Sequence, residues 1–134
     1  MDNFTIVASQ PHCHIEYFPE LKCIIQTWRG RSKSHQFRES IEATIEFAKT
    51  HTTASIISDT RQHEMISLED AEWLAKEGNP RLVQSGLQRL AFVSPNNPFA
   101  ARVQDSYAEK SKDEIDFQWF PNPDSARAWI EQQV

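Results

Sequence analysis

Asp59, Thr60 and Arg61 stand side by side, with His63 and Glu64 just beyond them. This is the densest cluster of chemically capable side chains in the 134 residues. A carboxylate in that setting can act as a general base, a phosphoacceptor or a ligand contact, and an imidazole can assist it in acid–base work. The same residue types can also serve only to hold a loop, Asp59 by accepting from backbone N–H groups and Arg61 by pairing with a carboxylate. That second reading is preferred, because ion pairs that order loops outnumber catalytic ones. No nucleophile at a matched spacing accompanies the cluster, and Ser9, Ser58 and Ser94 lack a G-x-S-x-G context. A phospho-receiver would need an acidic pair after the first strand and a lysine after a later one. The chain has Ala8-Ser9-Gln10 and Val93-Ser94-Pro95 there. An enzyme built on Asp59, Arg61 and His63 therefore ranks last, and no catalytic residue is assigned.

Other chemically suggestive residues are sparser. His12 and His14 flank Cys13 and, in a strand, would share one side, as metal ligands must. No third ligand is evident beside them, so no metal is expected. With only three glycines there is no Gly-rich phosphate loop, and no cofactor is expected. Cys13 and Cys23 flank a predicted hairpin whose turn at Pro19-Glu20 puts Cys23 opposite Glu16 or Tyr17 rather than Cys13. Both read as reduced thiols, which implies a cytoplasmic location. Of the four tryptophans, Trp119 and Trp129 fall on apolar faces and are expected in the core. Trp28 is left open. Trp73 borders a helix stripe, where it either covers the core's rim or anchors a partner.

Bulk properties limit the classes. Hydrophobic residues make up 39% and charged residues 25%, as in a folded soluble protein. A net charge of −5 opposes nucleic-acid binding and gives no support for an anionic membrane surface as partner. The start, MDNFTIVASQ, lacks the basic and apolar regions of a signal peptide. No stretch approaches the roughly 20 apolar residues of a membrane span. Residues 1–134 read as one domain.

The elements that must position these residues follow from their patterns. Three β-rich runs, Phe4–Ala8, His14–Phe18 and Cys23–Trp28, open the chain, the last two as an antiparallel hairpin. A helix begins at Ser34 as N-cap, with Phe37, Ile41, Ile45 and Ala48 on one face. Ala54–Asp59 is a short strand, followed by a polar loop over residues 60–66. Ser67-Leu-Glu-Asp70 has the form of a capping box, with Ile66 stapling against Ala71. The next helix buries Leu68, Ala71, Leu74 and Ala75 and stops at Gly78; Asn79-Pro80 restarts a short one that Gly86 ends. Leu87–Val93 is a strand, and Asn97-Pro98 caps a helix with Phe99, Val103 and Tyr107 in a stripe. Ile115–Phe120 alternates strictly, as an edge strand does, and Asn122-Pro123 opens a helix with Ala126, Trp129 and Ile130 inward. The predicted class is α/β: a mixed, mostly parallel sheet with antiparallel strands first and four main helices. If strands add in one direction, right-handed crossovers collect all the helices on one face. The other face is then left to the hairpin, a partner or a ligand.

This order of elements resembles the (βα) superhelix of SpoIIAA-like, or STAS, domains. The likeness is greatest to small stand-alone bacterial STAS/SEC14-like proteins. It is carried by Trp28 with Gly30, by Ser58-Asp59-Thr60-Arg61, by Glu69-Asp70-Ala71-Glu72-Trp73-Leu74, by Leu90-Ala91-Phe92-Val93 and by Ala126-Arg127-Ala128-Trp129-Ile130. The resemblance implies a regulatory or binding domain. In anti-sigma factor antagonists of this family, a serine in an Asp-Ser-Ser-Gly-like turn, after the central strand, is phosphorylated. Here that turn reads Ile66-Ser67-Leu68-Glu69, without Ser-Ser-Gly. Ser67 is the nearest hydroxyl; it is the expected phosphorylation site if there is one, and is preferred as an N-cap. The leading expectation is a non-enzymatic module binding a protein partner or a small apolar ligand through Asp59, Thr60, Arg61, His63 and Trp73. A phospho-regulated antagonist comes second. Self-association into a homodimer is expected through the hairpin or the Ile115–Phe120 edge.

Overall fold

A computed structural model describes residues 3–64, 67–93 and 98–134, without the side chains of 98–101 and 103. Six strands form one sheet in sequential order: β1 (Thr5–Gln10), β2 (Cys13–Phe18), β3 (Cys23–Gly30), β4 (Ser55–His63), β5 (Arg89–Val93) and β6 (Asp116–Phe120). β2 pairs antiparallel with both β1 and β3, whereas β3 to β6 run parallel. The β2–β3 hairpin pairs Phe18 with Cys23 and Cys13 with Trp28. Cys23 therefore lies opposite Phe18, not Glu16 or Tyr17, because the turn is tighter than its proline suggested. Lys22 closes it at a positive φ of 50°.

The helices are α1 (Ser34–Thr50), α2 (Leu68–Trp73), α3 (Asn79–Gln84), α4 (Pro98–Ser111) and α5 (Pro123–Glu131), with a π-helical turn over Leu74–Gly78. Helices α1 to α4 cover one face. There Ile15, Ile24, Ile56, Leu90 and Phe117 meet Phe37, Ile41 and Ile45 of α1, Ala71 of α2, Leu82 of α3 and Tyr107 of α4. The expectation that every helix shares this face is overturned by α5. Its Ala126 and Ile130 pack on Cys23, Ile57, Ala91 and Val93 on the opposite face. After the last strand no crossover to a further strand is required, so the right-handed rule does not constrain α5, and the adjacent isoleucines 56 and 57 need a cover on each side.

Several local expectations are also corrected. The first helix is capped at Lys33, whose N–H donates to Gln36 Oε1 at 2.8 Å; Ser34 is already helical and its hydroxyl is used elsewhere. Gly78 does not stop a helix: at φ −72° it lies within an uninterrupted helical run over residues 68–84. A Cβ there would come within 2.7 Å of Leu74 Cδ1 and 3.4 Å of Ile41 Cγ2, so close packing against α1 is its role. The true stop is Gly86, at φ +112°. Leu68, expected inside, is 63% exposed, and Trp119 is 41% exposed. The Ile66 staple, the Asn97 cap, the Ser94-Pro95 segment and the Phe99 and Val103 side chains lie outside the described residues.

Candidate functional site

Asp59, Thr60 and Arg61 belong to β4 itself, which runs on to His63 instead of giving way to a loop after Asp59. Polar as this end is, its backbone pairs with β3: Thr27 faces Asp59 and Gly30 faces His63, with one irregularity between Thr27 and Arg29. Asp59 lies two residues beyond Ile57 and so belongs to the α5 side of the sheet. Its carboxylate is buried and engaged by its neighbour. Arg61 donates from Nε to Oδ1 at 3.0 Å and from Nη2 to Oδ2 at 2.9 Å, and its backbone N–H donates to Oδ1 at 3.2 Å. This bidentate pair is the strong form of a carboxylate–guanidinium contact. It raises the Arg61 pKa, chiefly by hydrogen bonding. Thr60 Oγ1 donates to the Val93 carbonyl at 2.7 Å and accepts from Gln104 Nε2 at 2.8 Å, tying β4 to β5 and α4.

His63 is buried on the other side. Its ring stacks on Trp28 with centroids 5.1 Å apart, and Nε2 lies 3.3 Å from Ser32 Oγ. Burial, and secondarily the charge of His12, push its pKa down to about 4. Trp28, 2% exposed, donates from Nε1 to Gln26 Oε1 at 3.3 Å and to Ser58 Oγ at 3.2 Å. Gln26 Nε2 donates in turn to Thr44 Oγ1 at 2.9 Å. A buried indole needs such partners for its N–H. The sheet thus separates Asp59 from His63, and the two cannot act on one reacting atom.

Past β4, Ser67 caps α2: its Oγ accepts the Asp70 N–H at 3.0 Å. The reciprocal half of a capping box is replaced by a bridge to α1. The Asp70 carboxylate accepts from Ser34 Oγ at 2.6 Å and from Arg38 Nε at 3.0 Å. Arg38 also lies over the Trp73 ring, 4.9 Å from its centroid, within cation–π range. Trp73 is half-buried and packs at the margin of the core. Asp70, legible in the sequence only as part of a capping box, and Arg38, which carries no sequence signal, thus join the start of α2 to α1. The only sequence signal was the position of Asp70 three residues after a capping serine.

His12 and His14 are committed to different neighbours. His12 Nε2 lies 3.1 Å from Ser40 Oγ on α1, whereas His14 contacts Ser9 Oγ at 3.0 Å and Glu16 Oε2 at 3.2 Å. Among the described residues no three His, Cys, Asp or Glu side chains are grouped to hold a metal. Cys13 and Cys23 are free, and burial pushes each thiol up to about 12. No helix among the described residues is long and apolar enough to cross a membrane. A groove of about 430 Å³ lies elsewhere, between α4 and β6, lined by Asp105, Ala108, Glu109, Ile115, Phe117 and Trp119 among others. Compared with protein-family models, with curated proteins and with solved structures, the chain gives no match in any of the three.

Proposed function

We propose that the chain is a non-enzymatic, STAS-like binding module that recognises a protein partner through the start of α2, with residues 59–73 as its support. The observation that carries this reading is Leu68, a large apolar side chain 63% exposed at the first position of α2, beside the exposed Ser67. Polar groups elsewhere in residues 59–73 are engaged in internal bonds. Asp59 is engaged by Arg61, His63 is stacked on Trp28, and Asp70 bridges to Ser34 and Arg38. They hold a surface in place, and Asp59 and His63 lie on opposite sides of the sheet. An apolar residue displayed at a helix start suits a protein surface, where such a side chain becomes a buried anchor. An enclosed apolar ligand would need it turned inward. The sequential sheet and the succession of α1 to α4 on one face support the STAS-like reading at the level of architecture.

The test is a photoreactive amino acid in place of Glu69 in the producing cell, followed by mass spectrometry. One crosslinked protein is expected, and Leu68→Glu should abolish its capture without lowering Tm. Absence of any adduct, or an adduct indifferent to Leu68→Glu, would overturn the reading. Phosphorylation enters as a separate arm: incorporation at Ser67 by a kinase from the same cell would place the module among phospho-regulated antagonists, and an unmodified Ser67 would remove that option.

A further inference from the structure

The outer margin of the sheet at β6 has the features of a receiving edge. Among the described residues β6 pairs only with β5, through Arg89–Asp116 to Val93–Phe120, and is last in the strand order. Among those residues its other side therefore presents backbone N–H and C=O groups without a neighbouring strand. Beside that margin runs the groove between α4 and β6. Its floor is apolar, from Ala108, Ile115 and Phe117, and ends at Trp119, a tryptophan 41% exposed at the last-but-one position of the strand. Phe92 and Phe117 hold that indole in place at centroid distances of 5.6 and 6.5 Å. The walls are acidic. Asp105, Glu109 and Asp116 line the groove, and its Lys112 is paired with Glu109 at 2.7 Å. Asp113 and Glu114 extend the negative charge along the turn into β6.

We propose that β6 takes up an extended basic segment of a partner protein as a seventh strand, with apolar side chains on its α4 side lying in the groove against Trp119, Lys or Arg side chains on its other side beside Asp116, and Asp105 and Glu109 on α4 adding negative charge along the groove. Strand addition supplies affinity through main-chain hydrogen bonds and specificity through alternate side chains. The period of a strand delivers side chains to the two sides of the sheet in turn, here the apolar groove under α4 and the side that carries Asp116. Charge complementarity selects the occupant. A second copy docking its own β6 here would bring two acidic margins together in a chain of net charge −5, and like charges across an interface oppose pairing. The inference rests on a surface separate from α2, so it stands or falls independently of the function proposed above.

The test uses a labelled peptide of alternating lysine and valine, read by fluorescence anisotropy and by the emission of Trp119. A matching glutamate–valine peptide and a lysine–valine peptide N-methylated at alternate residues serve as controls. The proposal expects saturable binding of the lysine–valine peptide alone, with a blue shift of Trp119 emission and weaker binding at higher salt. Trp119→Ala, and separately Glu109→Lys with Asp116→Lys, should each weaken binding about tenfold at unchanged Tm. Three results would overturn it. No saturable binding would mean that the acids merely guard an edge against pairing. Equal binding of the N-methylated peptide would mean electrostatic adhesion without strand addition. A dimer that Trp119→Ala dissolves would hand the groove to a second copy.

Discussion

His63 shows what a buried imidazole costs and when. Its folded-state pKa of about 4 lies below the ordinary 6.5, so the unfolded chain binds the proton first. The fold is unaffected by this group above about pH 6.5, loses stability as pH falls from there toward 4, and stops losing once the folded form also protonates. The full penalty is about 3 kcal/mol. His63→Gln should therefore flatten the fall in Tm between pH 6.5 and 4 relative to the native chain, measured by thermal melts across that range. Asp70 acts through geometry: Asp70→Ala should cost about 1–2 kcal/mol, since a buried acceptor serving two donors is lost while half-exposed Arg38 rehydrates. Trp73 emission should shift with it as Arg38 leaves the ring. At this scale the sequence was readable in part. Asp59 was expected to accept from backbone N–H groups and Arg61 to pair with a carboxylate not named in advance; the carboxylate is that of Asp59, two residues away in the same strand, where no topology is needed for the two to meet. That His63 would stack on Trp28, and that Asp70 would reach Ser34 and Arg38, depends on contacts 35, 36 and 32 residues apart, which local spacing does not encode.

Among the elements, the run from Leu68 to Gln84 was hardest to read, for a definable reason. A π-helical turn adds a residue per turn, so the side chains after Trp73 rotate out of the phase set by those before it. A stripe drawn at one constant period then places Leu68 inside and takes Gly78 for a terminus. Gly78 and Gly86 should respond differently to one methyl. Gly78→Ala gains helix propensity against a contact with the terminal methyl of the half-buried Leu74 side chain, and should stay within about 1 kcal/mol of the native chain. Gly86→Ala, forced to φ +112°, should lose about 1–2 kcal/mol in chemical denaturation. By contrast, β6 and α5 were legible. Strict alternation identified an edge strand, and Asn122-Pro123 identified a capped helix start, with Asn122 Oδ1 accepting the Ser125 N–H at 2.8 Å. What alternation could not supply was the reach of α4, which covers Phe117 and leaves Trp119 partly exposed. The end of β4 was missed because Asp59–His63 has no apolar alternation; pairing with β3 makes it a strand.

On the scale of the whole molecule, one sheet separates a larger core under α1 to α4 from a smaller one under α5. The smaller core depends on few side chains, so Ile130→Ala should destabilise the fold by about 2–4 kcal/mol and sharpen any tendency to aggregate, as denaturation and light scattering would record. The β2–β3 hairpin, expected to offer a pairing edge, is flanked by β1 and β4, so we propose the homodimer for the β1 margin instead, where Phe4 just before β1 and Ile6 within it are 51% and 57% exposed. A doubled mass in light scattering that Ile6→Lys abolishes is the expected result, and a monomeric native chain would dismiss it. The two cysteines lie one in each core: Cys13 beneath α1, Cys23 beneath α5. They amount to a pair of internal clocks. Because a thiol is modified only once its cover lifts, the time course of alkylation at each, resolved by mass, times the opening of one layer independently of the other. Equal rates would mean that the protein comes apart as one cooperative unit; a faster Cys23 would mean that α5 peels away while the sheet and its other four helices stay together.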